Sequence, residues 1–277
     1  MAAVAVAGVA SAQVSLTGTF NLDMDNTTTN SKATVTAGDV ILSASAAEDL
    51  GGGMAVNVNT TLQTVNGRGG KVTNNGYSMA VSGGFGTVTY KNYLAGSAGL
   101  SAGISAENDM NDVAGGYTAR SRFQYTLPTM VEGLTASVYW DSTNGADAQG
   151  QINSAAFQTT KYALGYSAGP VSVSTSGSDA AGSKNDFTVS FDAGVAKASA
   201  YTATGVTEFA VTAPVGALSV GFHMVTGDNK ANGLTASYAL SKRTSLRYSY
   251  VNQSTVAAGN TAGMAGTNYR IRLGHSF

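Results

Sequence analysis

The residues able to do chemistry in this chain are few, and their spacing is informative. Arg120 and Arg122 stand two apart, as do Arg270 and Arg272, while Lys91, Lys161 and Arg247 occur singly. On a strand, a spacing of two puts both side chains on one face. The densest acidic group is Glu107, Asp109 and Asp112, interleaved with Asn108, Met110 and Asn111. Catalysis has little to work with. There are two histidines, His223 and His275, and no cysteine, so neither a His-rich metal centre nor a thiolate site can be assembled. Gly51, Gly52 and Gly53 open no helix and precede no Gly-Lys-Ser/Thr, so they read as a turn and not as a phosphate loop. The acidic group lacks the spaced ligands of an EF-hand loop, and no nucleophile elbow accompanies any serine. The expectation is no enzyme activity, no cofactor and no resident metal. Charge held in contact with water is the chemistry that remains.

The elements that must position these charges read as strands. Val14, Leu16, Phe20 and Leu22 share one face, and Ser15, Thr17, Thr19, Asn21 and Asp23 the other. Leu134, Ala136, Val138 and Trp140 oppose Thr135, Ser137, Tyr139 and Asp141. Tyr269, Ile271, Leu273, His275 and Phe277 oppose Asn268, Arg270, Arg272, Gly274 and Ser276. Roughly sixteen such segments run from residues 14–23 to 268–277, each about 8–11 residues, the length a tilted strand needs to cross a bilayer. Segments 87–93 and 120–127 flank the longest connection. Short turns, such as those at 49–53, 169–170 and 241–243, alternate with long connections at 26–38, 65–76, 92–119, 142–158 and 253–267. That asymmetry is expected of a transmembrane barrel.

Composition narrows the choice between barrel and soluble sandwich. Charged residues are 11% of the 277, against about a quarter in a soluble domain. A sandwich of this length would carry more Lys and Glu on its solvent face and protect its edges. Here the polar face is mostly Ser, Thr, Asn and Gly, which suits a lumen, and closing the sheet removes the edges. Mean hydropathy is only +0.01, and no apolar run reaches the roughly 20 residues of a membrane helix. A net charge of -1 offers no basic excess for nucleic acid. Aromatic residues gather at strand ends, among them Tyr77, Tyr90, Phe123, Trp140, Tyr166, Phe191, Tyr238 and Tyr250, as interfacial girdles do. Residues 1–12 are small and apolar and end in Ala10-Ser11-Ala12, an A-x-A cleavage pattern. No Lys or Arg precedes them, so they read as the C-terminal part of a signal peptide. A single barrel domain is expected over residues 13–277.

Four motifs carry a resemblance. Gln13-Val14-Ser15-Leu16-Thr17-Gly18 looks like a first strand, and Gly83-Gly84-Phe85-Gly86-Thr87-Val88 like a turn between fourth and fifth strands. Ser121-Arg122-Phe123-Gln124-Tyr125-Thr126-Leu127-Pro128, followed by Glu132-Gly133-Leu134, looks like the strand after a long internal loop. The chain ends on an alternating strand with a terminal Phe277. Together they resemble the Gram-negative general diffusion porins, especially the alphaproteobacterial-type trimeric outer-membrane porins, along the whole chain.

That resemblance implies an all-β, sixteen-stranded antiparallel up-and-down barrel, trimeric, set in outer-membrane lipid, with its third loop folded into the lumen. Residues 92–117 match that loop, which would bring Glu107, Asp109 and Asp112 to one side of a constriction. The family places basic residues across from it. Alternation puts Lys91, Arg120, Arg122, Lys161, Arg247, Arg270 and Arg272 on the polar, lumen-facing side. Opposed charge across a narrow aqueous pore sets up a transverse field that favours polar solutes and biases ion passage. Alternatively, the arginines pair structurally with inward acids such as Asp23, Asp141, Asp192 or Glu208. The implied partners are small hydrophilic solutes and ions, and the barrel-assembly machinery reading Phe277, with no nucleic acid. A substrate-specific channel is the nearest alternative, although Tyr139 and Tyr201 are the clear inward aromatics. A non-conducting surface adhesin is a further one.

Overall fold

The computed structural model describes residues 13–26, 33–64, 72–96, 117–141, 159–228, 230–255 and 266–277. The acidic group Glu107, Asp109 and Asp112 and the expected signal segment 1–12 lie outside the described residues. The described chain contains sixteen strands and no helix. They are β1 (Gln13–Asn26), β2 (Thr34–Gly51), β3 (Met54–Thr64), β4 (Val72–Gly83), β5 (Gly86–Gly96), β6 (Tyr117–Thr126), β7 (Leu134–Asp141) and β8 (Lys161–Ala168). The second half comprises β9 (Val171–Ser178), β10 (Asp186–Asp192), β11 (Lys197–Ala203), β12 (Val206–Val215), β13 (Leu218–Gly227), β14 (Lys230–Ala239), β15 (Thr244–Thr255) and β16 (Gly266–Ser276).

Every strand pairs antiparallel with its sequence neighbours, and β1 closes on β16. The sheet therefore has no edge, which answers the hazard that a long unpaired strand presents. Sixteen strands make a ring wide enough to hold water.

One rim carries only short connections, and two on the other rim, β11–β12 and β13–β14, are as short. One of the tightest uses Gly51, Gly52 and Gly53, whose φ angles of 78°, 62° and 77° fall in the left-handed region that only glycine adopts without strain. Asp49 Oδ1 accepts the Gly51 N–H at 2.8 Å and holds the turn. At the opposite rim the strands run further than alternation suggests. β5 reaches Gly96 and β6 starts at Tyr117, so the strand expected at 87–93 runs three residues further and the connection spans 97–116. β1 likewise runs past Asp23 to Asn26, bringing Asp25 into the wall.

The two faces are distinguishable by what their side chains can reach. Phe222 and Leu234, paired across β13 and β14, are 46% and 52% exposed and belong to the convex apolar face. Tyr77 and Tyr90 lie on that face with ring centroids 6.0 Å apart, as do Phe123 and Trp140 at 6.0 Å. On the other face, Tyr93 of β5 reaches Asp141 of β7 across the intervening β6. Side chains two strands apart meet on the concave side of a closed sheet and diverge on the convex side. The charged face is the lumen.

Candidate functional site: the charged lumen wall

Register fixes which candidate residues share the lumen. Lys91 stands opposite Arg122, Arg122 opposite Asp141, and Tyr139 opposite Lys161. Around the closing seam, Arg272 stands opposite both Asp23 and Arg247, and Arg270 opposite Asp25. Tyr93 lies opposite Arg120. All seven predicted cations thus sit on one continuous face, yet they form two separate groups with different electrostatics.

In the seam group, two of the three arginines each have an aspartate of their own. Arg272 donates from Nε and Nη2 to Asp23 Oδ1 and Oδ2, both at 2.7 Å. Arg270 makes the same forked contact with Asp25, at 2.6 and 3.0 Å, and its Nε lies 3.7 Å from Asp23 Oδ2. Asp23, Arg270 and Arg272 are buried. Planar guanidinium matched to planar carboxylate is the strongest common ion-pair geometry. These two arginines are committed to carboxylates. Sequence alternation found Asp23, but not Asp25, because β1 was expected to end at residue 23.

The second group, on β5 to β8, is unbalanced. Arg122 donates from Nε to Asp141 Oδ1 at 2.6 Å and from Nη2 to Oδ2 at 3.0 Å. Lys161 Nζ donates to Oδ2 at 3.0 Å, and the Tyr93 hydroxyl to Oδ1 at 3.3 Å. One carboxylate therefore serves two cations and a phenol. Arg122 Nη2 also donates to the Tyr93 oxygen at 3.0 Å. Its guanidinium carbon lies 3.9 Å from the Tyr139 ring centroid and 5.3 Å from that of Tyr93, while Lys91 Nζ lies 4.9 Å from Tyr93. These are cation–π distances. Among the described residues no carboxylate pairs with Lys91 or Arg120.

Tyr93 is a lumen residue that the sequence reading does not single out. The run Tyr93-Leu94-Ala95-Gly96 leads into small residues, so the strand end is not marked. One other expectation is corrected. Asp192 pairs with Lys197, at 2.8 Å, and not with a candidate arginine. Glu208 faces His223, with Oε2 3.8 Å from Nε2 and both side chains buried. His275 lies on the outward face, its Nδ1 2.9 Å from the Thr244 hydroxyl. Near these, the inward-facing Ala210, Val225 and Val251 form a small buried apolar patch on the β12–β15 wall.

Among the described residues no group of His, Cys, Asp and Glu could hold a metal ion. A wall of this kind can bind and orient ions and polar solutes.

Comparison with known proteins bears on the same fold. Residues 1–260 match the family described as Gram-negative porin. No curated protein matches the sequence. Among solved structures, the anion-selective porin from Comamonas acidovorans is 21% identical with a TM-score of 0.64, over 96% of this chain and 100% of that one. A mutant of the Rh. blastica porin is 12% identical with a TM-score of 0.63, over 96% and 100% of the two chains. The OmpF porin of Salmonella typhi, in complex with daunomycin, is 10% identical with a TM-score of 0.67, over 95% and 97%.

Proposed function

Since the chain belongs to the Gram-negative porin family and is a multi-pass outer-membrane protein, we propose that it is a trimeric channel for passive diffusion of small hydrophilic solutes and ions. The observation that carries this is the closed sixteen-strand ring, apolar outside and lined inside with ion-paired and hydroxylated side chains. A wet interior of that width conducts unless something fills it.

The constriction is the segment around Glu107, Asp109 and Asp112, set across the lumen from Lys91, Arg120, Arg122 and Lys161. Two things support it. The β5–β8 wall carries more cations than carboxylates, so an acidic group facing it would complete a transverse field. Ala210, Val225 and Val251 are apolar and buried although they face the lumen, and a covering segment would account for that. The connection between β5 and β6 is the longest available.

Trimer formation fits the outer face of β1 to β3. There Val14, Leu16, Ala44, Ala46 and Val58 stand where other sectors carry aromatic rings. Residues 1–12 are proposed to be the end of a signal peptide, and Phe277 the signal for barrel assembly.

Planar-bilayer recording on refolded protein tests the channel. Stepwise conductance, arriving in threes, is expected; an adhesin gives no steps. Neutralising Glu107, Asp109 and Asp112 together should move the reversal potential under a salt gradient toward anion selectivity. An unchanged reversal potential would remove them from the constriction.

A further inference from the structure

We propose that Lys91, Arg120 and Arg122 form a saturable binding subsite for a doubly charged oxyanion on the β5–β6 wall. The inference rests on the channel reading above, and adds to free diffusion a place where one class of solute pauses.

The charge count is the first argument. Lys91, Arg120, Arg122 and Lys161 share the lumen face of β5, β6 and β8, and Asp141 is the one carboxylate bonded to any of them among the described residues. Both oxygens of Asp141 are already used twice, by Arg122 Nε and the Tyr93 hydroxyl on one side and by Arg122 Nη2 and Lys161 on the other. It has no further capacity to neutralise Lys91 or Arg120.

Register is the second. Lys91 and Arg122 are directly opposed cross-strand partners on one face. Like charges in that position repel. The seam opposes Arg272 to Arg247 in the same way, but there Arg270 and Arg272 each have an aspartate of their own, whereas Arg122 shares its aspartate with Lys161. An anion seated between Lys91 and Arg122 would turn the repulsion into attraction.

The third argument is preorganisation. Arg122 is held over the Tyr139 ring and pinned through Nε and Nη2, which leaves its Nη1 hydrogens without an acceptor among the described residues. The Tyr93 ring holds the Lys91 ammonium by its face. A ligand meeting donors already fixed in place loses little of its binding energy to ordering them. Arg120, exposed and two residues from Arg122, stands about 7 Å further along the strand. The donors thus suit a compact dianion bridging Lys91 and Arg122, such as inorganic phosphate. They equally suit a short dicarboxylate whose far end reaches Arg120. Both present the same chemistry, two negative charges on oxygen.

The test is block of chloride current through single channels at low ionic strength, where screening is weak. Sodium phosphate and sodium succinate are added separately, with sodium acetate at matched ionic strength as the monovalent control. Phosphate, succinate or both should reduce the current along a saturating curve with a midpoint at about millimolar concentration, and acetate should not. Block by phosphate alone identifies a compact oxyanion, and by succinate alone a dicarboxylate. In the Lys91→Gln, Arg120→Gln double variant the midpoint should rise at least about tenfold. Lys197→Gln, near the short-turn rim, should leave it unchanged. A linear dependence on concentration, or a midpoint unmoved in the double variant, overturns the subsite. If the wild-type protein gives no current at all, the channel reading fails. Titration calorimetry with phosphate and succinate on the detergent-folded barrel then decides the subsite alone. Heat that saturates in the wild type and vanishes in the double variant supports it, and no heat with either anion overturns it.

Discussion

The closing seam and the β5–β8 wall are built from the same residue types and differ in stoichiometry. At the seam, two arginines meet two aspartates in forked pairs, nearly out of contact with solvent. On β5 to β8, one aspartate serves two of the four cations, and tyrosine rings lie against Lys91 and Arg122. The first arrangement spends its charge on holding two strands together. The second leaves charge facing the lumen, where a solute meets it. Lumen arginines are therefore not one functional class, and their carboxylate partners say which kind each is.

Substitutions can break this contrast, and the largest effect is expected at the seam. Asp23→Ala leaves Arg272 buried without its partner and weakens the hold on Arg270. The loss should be about 3–5 kcal/mol of barrel stability, read as a lower midpoint in denaturant or a lower temperature for loss of heat-modifiable gel migration. Ion selectivity of the folded fraction should stay close to wild type. A variant of full stability would show that the seam pairs do not hold the closure.

Asp141→Asn should have a smaller effect on stability and a larger one on selectivity. Arg122 and Lys161 are partly exposed and can turn to lumen water, so a loss of about 1.5–3 kcal/mol is expected, in the range of one charge-assisted hydrogen bond. The wall gains one positive charge, and the reversal potential should move toward anions. A shift toward cations would contradict the idea that this carboxylate moderates the wall.

The exposed pair of Asp192 and Lys197 marks the lower end of the scale. It sits at a turn on the short-turn rim, and both side chains are largely in water. Lys197→Gln should change neither the unfolding midpoint nor the selectivity measurably. A clear change there would mean that charge anywhere on the wall matters, and the contrast between the two groups would lose its point.

The sixteen strands were legible in the sequence because each alternates apolar and polar residues with the period of a strand. Their ends on the long-loop rim were not. Beyond Asp23 the alternation continues as Met24 and Asp25, but the polar run after it reads as loop, so Asp25 was overlooked. Tyr93 closes the expected strand 87–93 and also falls within the connection read as 92–119, because Ala95 and Gly96 carry no strong preference for strand or loop. Parity could assign Arg122 and Asp141 to one face, but could not show both oxygens of Asp141 already taken. That depends on register across three strands, which no local pattern encodes. The approach of Glu208 to His223 is not legible, because a single histidine between Phe222 and Met224 gives no spacing to reason from.

The β1–β16 closure also constrains how the molecule can be made. The last residue, Phe277, exchanges backbone hydrogen bonds with Gly18, 3.0 Å each way, and its ring lies where a side chain at Gly18 would stand. The ion pairs behind it join residues 245 and 249 apart in sequence. Every other strand pair links neighbours along the chain and can form as a hairpin, whereas this one must wait for the whole polypeptide. It carries the greatest loop-closure entropy and so forms late. Until it does, the nascent sheet has two free edges and an open lining, exposed to any other unfinished copy nearby. The clasp of Asp23, Asp25, Arg270 and Arg272 joins the first strand to the sixteenth. A chain cut short before its final strand lacks both arginines and the terminal ring, and has nothing with which to fasten itself shut.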